Sequence, residues 1–193
     1  MLVFYFVTGL WLSMISCDGK KSKWSSSGDK NYDSLFLGIS LGMEKTDFYD
    51  HCWEYNRKKI FTHSPTNQAV EYVLAKEFDQ PVMMRFYPTF YKDKIVEMPV
   101  TFSYQAWAPW NKQYGSDELF LKMLPVFKKW YGEDFKILEH PRMGRIYVKM
   151  DGKRRINLFI RDDQFVQAVF TDLELEKERK AEEETGPDEE PNN

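Results

Sequence analysis

The sequence predicts an α+β fold built as two modules, residues 34–110 and 111–175, each a helix followed by antiparallel strands, with the helix packed on one face of a meander sheet. Three observations predict it. Two stretches carry apolar side chains at the three-to-four-residue spacing of a helix. Several others alternate apolar and polar side chains as half-buried strands do. The order helix-then-strands occurs twice. A composition of 42% hydrophobic and 17% aromatic residues supplies enough apolar material for such a core.

The first sixteen residues contain no charge, and the apolar run Leu2 to Ile15 ends in the small residue Ser16 just before Cys17. That pattern predicts an export signal over residues 1–16. Crossing a bilayer takes about 20 apolar residues, and this run stops short of that, so cleavage is expected rather than spanning. Residues 17–33, with Lys20, Lys21, Lys23, Ser25, Ser26, Ser27 and Gly28, have the small polar composition of a flexible tether.

In the first module Thr46 is expected to cap a helix running to about Lys59, with Phe48, Cys52 and Tyr55 on its apolar stripe. Strands follow at Val70–Leu74, Val82–Phe86 and Val96–Tyr104, and Pro99 places the last at an edge or a bulge. The second module opens at Ser116 as N-cap, with Asp117 and Glu118 where the helix dipole favours negative charge. Its stripe is Leu119, Met123, Phe127 and Trp130, with Gly132 as the stop and Pro125 as a kink or a shortening. Four strands complete it, at about 135–138, 145–150, 155–160 and 165–170. Asp151-Gly152 is a hairpin turn between the middle pair, and Asp162-Asp163 is a second turn.

Residues 172–193 carry ten acidic and three basic side chains, so the tail is net −7 and the rest of the chain net +4. Residues 176–193 are expected to be a disordered acidic tail beyond a short helical stub. A body charge of +4 is ordinary for a solvated surface and excludes the clustered basic excess of a nucleic-acid binder.

The stretch Met14-Ile15-Ser16-Cys17 resembles the lipobox of bacterial lipoproteins. The resemblance implies removal of the signal, acylation of Cys17, and membrane anchorage through lipid facing the periplasm or the cell surface. An uncleaved N-terminal anchor or an ordinary secretory signal is the competing reading. If Cys17 carries lipid, Cys52 is a buried free thiol; a Cys17 to Cys52 disulfide is the alternative and requires that Cys17 is not acylated.

Helix-then-strands given twice, with Leu37-Gly38-Ile39-Ser40-Leu41-Gly42-Met43 leading into a helix opening Thr46-Asp47-Phe48, resembles the outer-membrane assembly lipoprotein and β-lactamase-inhibitor-protein type of module. The resemblance implies a noncatalytic protein that binds another envelope protein, and it carries over no site residue.

No catalytic or metal-binding pattern is legible, and no cofactor is expected. His51, His63 and His140 have no ligand at metal-site spacing, there is no Gly-x-Ser-x-Gly elbow, and no glycine-rich loop with a following lysine could hold phosphate. The most unusual local feature is Tyr104-Gln105-Ala106-Trp107-Ala108-Pro109-Trp110, with Tyr114 nearby, joining the two halves. Its aromatics either plug the seam between modules, the favoured reading, or form a partner surface. Lys149, Lys153, Arg154, Arg155 and Arg161 cluster around one hairpin and are expected to share a solvent face that meets lipid phosphate or an acidic partner. The leading expectation is a lipid-anchored binding or assembly module. An envelope hydrolase with a site assembled between the modules and an inhibitor or immunity-type protein are the alternatives.

Overall fold

Residues 32–64 and 69–184 are described by the structure, a computed structural model. The expected signal peptide, Cys17, nearly all of the tether and the end of the acidic tail lie outside the described residues.

A small hairpin of β1 (Ser34–Phe36) and β2 (Ile39–Ser40) leads into α1 (Lys45–Arg57). Then come β3 (Thr62–His63), β4 (Val70–Leu74), β5 (Val82–Phe86), β6 (Thr89–Tyr91) and β7 (Lys94–Tyr104). After a single 3-10 turn at Lys112–Tyr114 follow α2 (Ser116–Tyr131), β8 (Lys136–His140), β9 (Gly144–Asp151), β10 (Arg154–Ile160), β11 (Val166–Asp172) and α3 (Leu173–Glu184). The protein is α+β. Strands of both halves join one antiparallel sheet of nine strands in the order β3-β4-β5-β7-β11-β10-β9-β8, with β6 also paired to β7. The junction between halves is the β7–β11 ladder, from Phe102↔Val166 to Glu97↔Thr171.

Alternation along each strand puts Met84, Phe102, Phe170, Ile156 and Leu158 on one face, and the helices cover it. Phe127 of α2 lies 5.8 Å from Phe102 and 6.2 Å from Phe170, ring to ring. Phe36 of β1 reaches the same floor at Phe86 and Phe170, and Phe48 of α1 packs against Phe90. One buried cluster therefore runs beneath both helices and the small hairpin.

Several local expectations are corrected by tertiary contacts. Pro99 sits in the central strand β7 rather than at an edge, two residues from a shift in register where Thr89 pairs with Glu97 and Phe90 with Ile95. It is tolerated because β5 ends at Phe86↔Val100 and β6 begins at Thr89↔Glu97, so the ladder on that side is interrupted opposite the residue that lacks an N–H. Pro125 does not shorten α2, which continues from Ser116 to Tyr131. Pro125 is exposed, and the carbonyl it leaves unbonded, that of Leu121, belongs to an exposed residue on the water side. Ser116 is not the N-cap. Its N–H donates to Asp163 O and its hydroxyl to Asp162 O, stapling α2 to the β10–β11 turn. Thr46 does not cap α1 either; the helix begins one residue earlier, where the Lys45 N–H donates to Asp93 O. The hairpin turn is Gly152-Lys153, because Asp151 pairs with Arg154 across it.

The acidic C-terminal segment is helical well past a stub. Asp172 accepts the N–H groups of Glu174 and Leu175, and Glu176 with Lys180 and Arg179 with Glu183 form pairs along the helix through Glu184. A cap and i,i+4 pairs hold a helix that has almost no apolar face.

Candidate functional site

The basic hairpin is not a shared solvent face. Lys149 stands opposite Ile156 in the ladder, on the helix-covered side, and Arg154 shares that side, so each is only 5% exposed. Asp151 lies between them, 3.1 Å from Lys149 Nζ and 3.0 Å from the Arg154 guanidinium. Arg154 also donates to Ser34 O at 2.6 Å and stacks 5.2 Å from the Tyr131 ring centre. The Tyr131 hydroxyl donates to Leu35 O, and burial pushes its pKa up.

The remaining bases point elsewhere and are paired as well. Lys153 meets Asp172 at 3.3 Å and Asp33 at 3.5 Å. Arg155, on the opposite sheet face, meets Glu176 at 3.2 Å, and Arg161 meets its neighbour Asp162 at 2.9 Å. The cluster tethers the β1 strand and α3 to the hairpin. Its positive charge is matched by carboxylates of the chain itself, which weakens any case for it as an anion site.

The aromatic connection lies at the other end of the sheet. The register runs from Arg154↔Asp172 at one end to Ile160↔Val166↔Phe102 at the other, which puts Gly152-Lys153 and Asp33 near the start of β7 and Trp107 past its finish. Trp107 is half-buried against the core, its N–H donating to Tyr104 O, and Tyr114 packs on Tyr104 with ring centres 5.4 Å apart. Trp110 is 85% exposed. One indole thus anchors the loop while the other stands in solvent.

Two clefts hold residues that the sequence reading did not single out. Beside α1 and β3, a groove of about 390 Å³ is lined by Tyr49, Trp53 and Tyr87, with Cys52 at its side. The Tyr49 and Tyr87 hydroxyls lie 2.8 Å apart, and this bond with burial pushes the Tyr87 pKa up to about 12. Burial pushes the half-buried Cys52 thiol up to about 11. A second cleft of about 340 Å³ opens between the β1 hairpin, the end of α2 and strands β4 and β5, with Trp130 and Tyr72 on its walls. Tyr49 and Trp53 are four apart on α1, and that second aromatic stripe was the available signal; the second cleft joins segments too distant in sequence to leave one.

Two histidines contact backbone groups. His51 Nε2 lies 2.7 Å from Leu37 O, and His140 Nδ1 accepts the N–H groups of Arg142 and Met143 in the β8–β9 turn. Among the described residues there is no group of three or more His, Cys, Asp or Glu placed to hold a metal, and no helix long and apolar enough to cross a membrane. No family model, no curated protein and no solved structure matches this chain.

Proposed function

We propose that this chain is an exported protein anchored through lipid on Cys17, and that its folded part is a noncatalytic binding or assembly module of the cell envelope. The observation that carries the reading is Trp110, an indole 85% exposed on a loop held by half-buried Trp107, at the end of the sheet away from Asp33. A tether over residues 17–33 would join the domain at the Asp33 end and leave the Trp110 end to face a partner. Exposed tryptophans on an ordered loop supply large contact area at low conformational cost, which is how binding hot spots are built.

The reading of residues 34–110 and 111–175 as two modules belongs to the same proposal. In it, α1 with β3–β7 and α2 with β8–β11 are two helix-on-sheet units fused along β7 and β11.

The test is capture of partners from detergent-solubilised envelope with the wild type and with Trp110→Ala, alongside the intact mass of the wild type and of Cys17→Ala. A protein retained stoichiometrically by the wild type and lost from a normally folded Trp110→Ala supports the reading. An unacylated wild-type mass beginning at Met1, or equal capture by both chains, overturns it.

A further inference from the structure

We propose that the cleft between the β1 hairpin, the C-terminal end of α2 and strands β4 and β5 binds a small organic ammonium ion carrying a short apolar arm. This site lies on the helix-covered side of the sheet and is independent of the Trp110 surface.

The cleft holds about 340 Å³, within the size range of small-molecule sites. Its floor is apolar: Leu35, Leu74 and Met84 are each buried, so a hydrocarbon arm would meet no unsatisfied polar side chain there. Two aromatic side chains line it, Tyr72 on β4 and Trp130 on the last turn of α2. Glu77, at the mouth, is the only charged side chain lining the cleft among the described residues, and it has no ionic partner there. It lies close enough to Tyr72 to add to the effect of burial in raising that phenol's pKa.

The lining holds no Lys, Arg, His, Ser, Thr, Asn or Gln among the described residues, and Arg154, stacked on the lining Tyr131, is already paired with Asp151, so no free side-chain cation or amide is present to receive a carboxylate or phosphate. Aromatic faces attract cations through their quadrupoles, and a nearby carboxylate adds to that attraction. The combination selects for positive charge at the mouth and hydrocarbon within.

Isothermal titration of the full chain with hexyltrimethylammonium, 1-hexanol and hexanoate tests the proposal. The ammonium is expected to bind about tenfold more tightly than hexanol, as a cation over aromatic walls should, with hexanoate weakest. Glu77→Gln, an exposed change that leaves the core intact, removes one exposed ion pair with the ligand and should weaken the ammonium by up to about fivefold while leaving hexanol unchanged. Trp130→Leu should weaken the ammonium with the α-helical signal unchanged. Competition by glycerophosphocholine would assign the cation to a phospholipid headgroup, and competition by hexylamine without it to a free amine. No ammonium binding at millimolar concentration, equal binding of cation and anion, or a Glu77→Gln chain indistinguishable from wild type would each overturn it.

Discussion

Asp172 and Lys153 are joined across the start of the C-terminal helix: the carboxylate lies 3.3 Å from the ammonium and also accepts the N–H groups of Glu174 and Leu175. One fully buried side chain therefore caps α3 and fixes it to the β9–β10 hairpin, where Lys153 also meets Asp33 of the incoming chain.

Asp172→Ala should lower stability by about 3 kcal/mol, since it removes a helix cap and strips a half-buried lysine of its main partner. Asp172→Asn, which keeps an oxygen for the cap, should cost less. Urea unfolding measures both. Burial works against the charge of Lys153, but Asp172 and then Asp33 outweigh it and hold its pKa above the ordinary value. The pair's contribution is therefore complete below about pH 10.4 and is lost as pH rises through the folded-state value. Amide exchange in α3 should accelerate in that alkaline range.

His51 and Gly38 form a second coupled pair. The β1–β2 turn places Gly38 at φ +82, and a Cβ there would stand 2.9 Å from His51 Cε1. Gly38→Ala should cost about 1–2 kcal/mol from backbone strain, with crowding in addition. His51→Ala loses the contact with Leu37 O and should cost about 1 kcal/mol. The double variant should be less destabilised than the sum by about 0.5–1 kcal/mol, because the smaller side chain gives the new methyl room. Strict additivity in a thermal-melt cycle would contradict this packing.

The two tryptophans of the β7–α2 connection should separate. Trp110→Ala should change stability by less than about 0.5 kcal/mol, whereas the half-buried Trp107→Ala should cost about 2 kcal/mol. Urea melts of the two variants decide between filler and free surface for each ring.

Helix α3 should be docked by charge. Glu176 pairs with Arg155 at 3.2 Å, and Glu182 pairs with Lys92 in the β6–β7 turn. Deleting residues 176–193 should leave the sheet folded and lower stability by about 1–2 kcal/mol, since exposed pairs contribute about 0–1 kcal/mol each and Glu176 is more sheltered than most. Raising salt to about 1 M, where the Debye length falls to about 3 Å, should speed amide exchange in α3 selectively. A helix equally protected at low and high salt would point to apolar docking instead.

Cys52 should be a poor nucleophile in the folded protein, because burial holds its thiol at about 11, far above neutral pH. Reaction with a thiol reagent at pH 8 should be slow in buffer and fast in urea.

The sequence by itself located the two amphipathic helices and the longer strands, but not β1, β2, β3, β6 or the length of α3. Alternation in Val82–Phe86 and Val96–Tyr104, and the stripe Leu119, Met123 and Phe127, located strands and helix correctly, because a side chain's face depends only on its place in a two-residue or 3.6-residue period. What the tertiary structure decided were features set by distant partners. Lys149 and Arg154 face inward because Asp151, opposite Arg154 in the ladder, compensates their charge, and Ser116 gave up its cap for the Asp162-Asp163 turn. Pro99 could stand in a central strand because β5 stops where β6 has not begun. The cleft beside Trp130 exists only once β1, α2, β4 and β5 have converged. Periodicity is local and survives in a linear string, whereas charge compensation, ladder gaps and cavities arise from pairings between residues tens of positions apart, which no local pattern encodes.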